Sequence, residues 1–214
     1  MTHRYEGAAN WFIRMCEKNS WSPGLYTYIA GICYAELSHQ HLPDSPNYAE
    51  KANDLLEAVP DLLQRRRGMG GRRIPFETYV DRKITRFRMV AGPGGRLVDG
   101  VRGPVTEELT YLLCNGQKRM SKGDLEKSWE SIEMWSCLEC GEEEKVSVEF
   151  MKSVIDRNAA GRLDLAKERI ERNVVGEALA KRVPLGCNDW ISGFAYYEVS
   201  SNDPSFVSSV NRVF

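Results

Sequence analysis

Apolar residues recur along the chain at intervals of three and four, the spacing that places side chains on one face of an α-helix. The clearest stretch runs from Leu25 to Leu37. Ser22 or Ser20 can cap the start of this helix, and Pro23 is tolerated in its first turn. No run of five or more residues alternates apolar and polar positions with β-branched enrichment. The pattern therefore predicts helices and no strands.

The same periodicity predicts eight further helices, separated by glycine and proline clusters. They cover approximately residues 5–18, 47–66, 75–90, 104–120, 124–139, 145–160, 163–181 and 188–200. The densest cluster, at 92–95, predicts a flexible Gly-rich loop over residues 91–104. About nine helices with short connectors indicate an all-α protein, with a helical domain over 1–200 and a tail over 201–214.

A recurring pattern of small residues indicates that the helices form repeats. Two copies lie 38 residues apart, and a third is looser. In order, they comprise Gly116, Gly123, Ser128 and Ile132; Val154, Gly161, Ala166 and Ile170; and Gly31, Tyr34, Ala52, Leu56 and Val59. The pattern places a small residue in one helix, a glycine seven residues later at the turn (Gly123 and Gly161) and a small residue five later in the next helix. Small residues there let the two helices cross closely, as in a tetratricopeptide hairpin. We therefore predict a tetratricopeptide-like helical-hairpin solenoid; unrelated helix pairs with glycine turns are the alternative.

Three blocks of sequence carry a resemblance to a known family. They are Ile74-Pro75-Phe76-Glu77-Thr78-Tyr79-Val80 with Arg82, Lys83 and Phe87; Glu108-Leu109, Tyr111-Leu112-Leu113 and Asn115-Gly116; and Asn188-Asp189-Trp190 with Ala195, Tyr197 and Glu198. This series resembles the C-terminal part of the fungal inclusion body clearance protein family, which is related to the animal tetratricopeptide repeat protein 39 family. The similarity runs from about Asn19 to Glu198.

The resemblance implies an all-α repeat protein without a catalytic centre, involved in removing aggregated protein. It also implies association with lipid droplets, cytosol, nucleus and the mitochondrial outer surface. Members of that family are several hundred residues long, so the chain is expected to be a C-terminal fragment of a longer array or a shortened product.

The motif residues are expected to be structural. Pro75 suits the first turn of a helix, and Glu77 then lies where the helix dipole favours a carboxylate. Tyr79, Lys83 and Phe87 step by four along one helical face. The full set of motif residues to which we assign structural roles is Ile74, Pro75, Glu77, Lys83, Asn115, Gly116, Trp190 and Glu198.

Charge is balanced overall, with 29 basic and 30 acidic residues, but it is unevenly distributed. Ten cations lie between Arg65 and Arg96, and eight glutamates between Glu126 and Glu149. The candidate interaction patch for an anionic surface comprises Arg65, Arg66, Arg67, Arg72 and Arg73. The alternative is two solvated faces of opposite sign, or a contact between neighbouring repeats. Nucleic acid is not expected as a partner, because no groove-fitting or aromatic-interleaved motif accompanies the arginines.

Metal and cofactor chemistry find little support in the sequence. Cys137 and Cys140 form a lone CxxC, whereas a tetrahedral zinc site needs four ligands. The run Gly92-Pro93-Gly94-Gly95 lacks the Gly-Lys-Ser/Thr of a phosphate-binding loop. No metal, cofactor or catalytic residue is therefore predicted, although a metal or redox protein built on the CxxC stays as an alternative.

The favoured hypothesis is a non-catalytic interaction scaffold that recognises protein partners through a concave groove. Some of the 21 aromatic residues would line that groove. A peripheral module that binds a lipid droplet or another anionic membrane surface through the basic segment is the second hypothesis. Six sparse cysteines and an N-terminus without a signal-peptide core indicate a reducing compartment and no secretion. We expect a cytoplasmic location, with nuclear, lipid-droplet or mitochondrial outer-surface association implied by the resemblance.

Overall fold

The computed structural model describes residues 3–40, 43–68, 74–137, 140–159, 162–179 and 185–202. Within these ranges the chain is helical, without strands, which confirms the all-α prediction. The α-helices are α1 (Tyr5–Lys18), α2 (Pro23–His39), α3 (Ser45–Gly68), α4 (Pro75–Ala91), α5 (Val105–Cys114), α6 (Lys122–Cys137), α7 (Glu142–Asn158), α8 (Leu163–Arg169) and α9 (Trp190–Asn202). Shorter 3-10 helices cover Leu97–Gly100, Gly116–Arg119 and Gly186–Asn188, and a π-helix covers Ile170–Leu179.

Two helix ends differ from the sequence prediction for local reasons. The helix expected over 104–120 ends at Cys114, because Asn115 adopts a left-handed conformation with φ 47° and ψ 50°. A separate 3-10 helix, Gly116–Arg119, follows. The prediction that Gly123 forms the turn before the next helix is wrong, since Gly123 lies inside the first turn of α6. The paired glycine of the 38-residue repeat, Gly161, lies outside the described residues.

The chain divides into two compact units, Met1–Leu109 and Thr110–Phe214, where the sequence suggested one domain over 1–200. In the first unit α2 packs between α1 and α3. Every residue of α2 from Gly24 to Leu37 is buried, as expected of a helix covered on all sides. The stack of α1, α2 and α3 contributes much of the core of this unit, and α4 adds Val80 and Phe87.

The looser repeat copy marks a real close approach in the first unit. A Cβ atom at Gly31 would lie 3.0 Å from both Cγ and Cδ2 of Leu56. Ala52, Leu56 and Val59 of α3 are all fully buried. The small residue at position 31 thus lets α2 and α3 cross closely, as the repeat pattern predicts.

Residues 91–104 are only partly the glycine loop that the sequence predicts. Gly92 and Gly94 have positive φ angles of 74° and 76°, as a glycine turn requires. The 3-10 helix Leu97–Gly100 that follows packs against α3 and α4. Its Leu97 and Val98, together with Val101, belong to the buried core. A flexible loop therefore does not describe this second half of the segment.

The core of the second unit is centred on α7, which packs against α6, α8 and the π-helix. The buried side chains include Ile132 and Trp135 of α6, Phe150 and Val154 of α7, and Ile170 of the π-helix. Ala166 of α8 is also buried. These positions include several of those that the 38-residue repeat assigns to helix–helix contacts.

The Gly31 contact yields a stability prediction. Gly31→Leu is expected to lower the free energy of unfolding by about 1–3 kcal/mol, because the added side chain collides with Leu56 in a packed interface. Urea unfolding followed by far-ultraviolet circular dichroism measures the change. Gly7→Leu is the matched control, since a Cβ at Gly7 meets no atom within 4 Å and α1 is exposed there. Equal stabilities for the two variants would contradict the close approach of α2 and α3.

Candidate functional site

The structure gives a mixed description of the basic segment between Arg65 and Arg96. Arg65 is exposed on α3, whereas the side chains of Arg66 and Arg67, and all of Arg72 and Arg73, lie outside the described residues. The proposed patch of these five arginines therefore stays a prediction.

Three other cations of the basic segment are already paired with carboxylates. Arg88 donates two hydrogen bonds to Glu57, at 3.1 and 2.8 Å. Arg96 donates two to Asp99 and thereby holds the pKa of that carboxyl below its ordinary value. Lys83 is buried. Counting charges along the sequence thus overstates the cations that this segment offers to a ligand.

The start of α4 is organised by the motif residues. Ile74 is the N-cap residue in an extended conformation, and Pro75 occupies the first helical turn, as the sequence predicts. Glu77 lies in that turn but is buried. Its Oε1 accepts a hydrogen bond of 2.9 Å from the buried hydroxyl of Ser22, which precedes α2. This pair fixes the start of α4 beside the start of α2.

A buried ion pair lies further along α4. The Nζ atom of Lys83 is 2.6 Å from Oε2 of Glu108, and the two side chains are 2 % and 0 % exposed. The Tyr79 hydroxyl donates to the same carboxylate oxygen at 2.8 Å. Lys83 also lies over the Tyr79 ring, 5.6 Å from its centroid. Two groups of α4 therefore neutralise and hydrogen-bond a carboxylate of α5, which is how a buried charge is tolerated.

In the second unit two further motif residues, Glu198 and Asn115, are linked through Arg157. Glu198 of α9 accepts a hydrogen bond of 2.5 Å from the Tyr111 hydroxyl and forms an ion pair with Arg157 of α7. Arg157 also donates to the side chain of Asn115 at 3.3 Å. Burial and the Glu198 carboxylate raise the pKa of Tyr111, so its hydroxyl stays protonated and donating at neutral pH.

Trp190 belongs to an aromatic cluster beside this network. Its ring lies 5.5 Å from that of Phe150 and 5.9 Å from that of Phe194, both edge-on. The turn before it is held by Glu143, whose Oε1 accepts backbone N–H groups of Cys187 at 2.6 Å and Asn188 at 3.2 Å. The contacts of Trp190 are those of a structural residue.

Gly116 sits at the turn that follows α5. A Cβ atom there would lie 2.6 Å from Cγ2 of Thr110, so the position has no room for a side chain without a shift. This close contact is compatible with the structural role expected of Gly116.

The sequence alternative of a metal or redox centre rests on a pair that the structure covers only in part. The side chain of Cys137 lies outside the described residues. The thiol of Cys140 donates to the Trp135 carbonyl at 3.3 Å. Among the residues that the structure does describe, no group of three or more His, Cys, Asp or Glu side chains could hold a metal ion.

Thiol chemistry provides a second prediction. Burial raises the pKa of the Cys33 thiol to about 12, whereas Cys114 is exposed. At pH near 8, N-ethylmaleimide is expected to modify Cys114 in the folded protein and Cys33 only after unfolding, because the thiolate is the reactive form. Peptide mass mapping after a timed reaction checks this order. Modification of Cys33 at the rate of Cys114 in the native protein would contradict it.

The described part of the second unit contains an open groove of about 590 Å³ between α6 and the end of α7. Its apolar residues lie on both sides of that space, and its polar residues include two cations and two carboxylates. The apolar residues are Met120, Leu125, Trp129, Ile155 and Ala159, and the polar ones are Lys122, Glu126, Glu130, Asn158 and Arg162. The volume of this groove lies within the range of ligand pockets in proteins, and half of its lining is polar.

Trp129 lies in a strongly charged setting. The charged groups of Lys152, Arg162 and Arg169 are 5.8, 6.0 and 5.5 Å from its ring centroid. Lys152 pairs with Glu133 at 2.7 Å, so its charge is locally balanced. The cations hold the indole through cation–π contacts, leaving it partly buried on the groove wall.

The positions of the other tryptophans show why sequence alone could not select this groove. Trp135 is buried in the core, whereas Trp11 and Trp21 are exposed on the first unit. Leu125 and Trp129 are four residues apart, a weak signal of a shared helical face. No sequence pattern indicated that Arg162 would line a groove. Only the packing of α6 against α7 brings these residues together.

The described helices include none that is long and apolar enough to cross a membrane. The packed helix pairs, the close helix crossing at Gly31 and the groove are those of an α-helical repeat protein. No solved structure matches the chain. Residues 1–159 match the model of the Iml2/Tetratricopeptide repeat protein 39 family. The chain belongs to this family, which confirms the resemblance read from the sequence.

Several fungal proteins named inclusion body clearance protein Iml2 are similar to the chain. The protein from Aspergillus niger is 32 % identical over 212 residues, covering 94 % of this chain and 30 % of that protein. The protein from Schizosaccharomyces pombe is 28 % identical over 203 residues, covering 93 % and 32 % respectively. The chain thus spans about a third of the length of these curated relatives.

Proposed function

We propose that this chain is a non-catalytic interaction scaffold that takes part in clearing protein inclusion bodies. Its family and the names of its relatives support the clearance role. The groove beside Trp129 carries the proposal of a scaffold, because it presents apolar surface in a helical-repeat protein. A protein partner is expected to place apolar side chains in this groove.

The physical basis of recognition is the burial of apolar surface on both sides. A leucine- or phenylalanine-sized side chain gains about 1.5–3 kcal/mol when it is fully buried. The groove volume of about 590 Å³ accommodates more than one such side chain. Motif residues outside the groove, such as Lys83 and Glu198, act by holding the helices in place.

A chimaera tests this proposal in cells. The matching segment of the Schizosaccharomyces pombe relative is replaced by this chain, and clearance of a fluorescent aggregation reporter is followed by microscopy. Ala159→Arg, which places a long charged side chain in the groove, is expected to slow clearance. Ala8→Arg on α1 is the matched control and is expected to preserve it. Equal clearance by a chimaera carrying Ala159→Arg and by the unsubstituted chimaera would overturn the role of the groove.

The place of action is proposed to be the cytoplasm, including lipid-droplet and mitochondrial outer surfaces. This part rests on the family resemblance. Fluorescent tagging of the same chimaera, with droplet and mitochondrial markers, tests it; a signal that coincides with neither surface would restrict the proposal to the cytosol.

A further inference from the structure

Arg162 is a cation that the groove presents to a ligand. Its side chain is 54 % exposed, and Oδ1 of Asp156 lies 3.5 Å from its Nη1 atom. That oxygen is buried and accepts no hydrogen bond from the described residues. The guanidinium thus lies near Asp156 and above the Trp129 ring, and it does not form a close bidentate ion pair with Asp156. It retains donor groups for a carboxylate arriving from outside.

Asp156 itself is anchored independently of Arg162. Its other carboxylate oxygen accepts a hydrogen bond of 3.2 Å from Arg169 of α8. Arg169 also contacts Glu149 at 3.0 Å. The position of Asp156 therefore does not depend on Arg162 alone, which makes Arg162 suitable for substitution.

The α6 side of the groove has a different charge distribution. Glu126 and Glu130 are exposed residues of α6, one helical turn apart. Lys122 approaches Glu126 only to 3.9 Å, with its own side chain 93 % exposed, so water screens that pair. This side therefore favours a cation, whereas the Arg162 side favours an anion.

We propose that the groove binds an amphipathic helical segment of another protein. Its apolar side chains contact Met120, Trp129 and Ala159, which are partly exposed, an acidic side chain meets Arg162, and a basic side chain on its opposite flank faces Glu130. Charge complementarity thus selects both the ligand and its orientation. This inference rests on the proposed scaffold function and names the chemistry of the partner.

The contact between Arg162 and the acidic side chain is expected to contribute most of the groove's selectivity among peptides. A guanidinium already restrained by Asp156 and Trp129 loses less conformational freedom when it binds. Replacing the ligand's glutamate by glutamine is therefore expected to weaken binding about tenfold, as for a hydrogen bond between charged groups.

The test uses a displayed library of helix-forming 14-residue peptides, selected on the full unsubstituted chain only. Selected peptides are expected to carry an acidic residue one helical turn from a large apolar residue. Fluorescence anisotropy then measures Kd for one selected peptide and for its Glu→Gln version. With unsubstituted protein the two Kd values should differ about tenfold, and with Arg162→Gln the difference should disappear.

Controls separate this inference from the scaffold function. Arg172→Gln, a substitution of an exposed cation outside the groove, should retain the tenfold difference, and circular dichroism should show that each variant is folded. Peptides that bind the groove without preferring an acidic residue, or a difference that persists in Arg162→Gln, would overturn the charge assignment alone. If Ala159→Arg binds every selected peptide as the unsubstituted chain does, the groove itself is not the binding site and both proposals fail.

Discussion

Replacing Lys83 by Met is expected to lower the free energy of unfolding of the first unit by about 3–5 kcal/mol, because it leaves the buried carboxylate of Glu108 without its cation. Methionine is close in length to the lysine side chain and replaces its alkyl stem, so the loss reports the missing charge more than a cavity. Urea unfolding followed by circular dichroism measures the effect. Tyr79 still donates to Glu108 in this variant, but a hydrogen bond from a neutral hydroxyl does not replace an ammonium group.

A double substitution distinguishes the loss of the ion pair from poor packing. Lys83→Met combined with Glu108→Gln removes both charges and keeps an acceptor for Tyr79, so at least half of the lost stability should return. Lys18→Met, at an exposed position in α1, is the control for the change of residue type and should alter stability by less than about 0.5 kcal/mol. A double variant less stable than Lys83→Met alone would show that the carboxylate is not strained by losing its cation.

Replacing Arg157 by Met should destabilise the second unit by about 3 kcal/mol, near the lower end of the range for breaking a buried pair. The side chain of Glu198 is 3 % exposed, whereas that of Arg157 is 15 % exposed, so some water reaches the arginine. The substitution also removes the hydrogen bond to Asn115 that helps to hold the turn after α5. Thermal unfolding of the variant, compared with the unsubstituted chain, measures the loss.

The Arg157 prediction has its own matched pair. Arg172→Met removes an exposed arginine of the same unit and should leave the melting temperature nearly unchanged. Arg157→Met with Glu198→Gln should recover part of the loss, because the neutral amide can still accept the Tyr111 hydrogen bond. Equal melting temperatures for Arg157→Met and Arg172→Met would mean that the Arg157–Glu198 pair does not stabilise the unit.

The two ion pairs show what pattern reading recovers and what it misses. The resemblance singled out Lys83 and Glu198 as motif residues, and the structure places both in buried contacts. Arg157, the cation that neutralises Glu198, drew no attention because it lies 41 residues away in sequence and stands in an ordinary helical pattern. An ion-pair partner that is brought close only by tertiary packing cannot be recognised from the local sequence pattern.

The interaction surface was less accessible to sequence reasoning than the fold. The basic segment attracted the binding hypothesis because its cations cluster along the chain. Folding buries Lys83 and pairs Arg88 with Glu57, while the groove arises instead around Trp129 and Arg162. Cations that cluster along the sequence need not cluster on the surface, because helix packing places some of them in the core and pairs others with carboxylates.

The sequence by itself determined the helices and, in large part, their ends. Helical periodicity, proline at the starts of α2 and α4, and small residues at close crossings act within a few residues or across one helix pair. Only the tertiary structure decided which charges are buried and which line a groove. Arg82 is exposed and its neighbour Lys83 is buried, although both belong to one basic run. The reason is that Lys83 can be buried because Glu108 of another helix lies beside it as a counter-charge. Whether such a counter-charge is present depends on how distant segments pack.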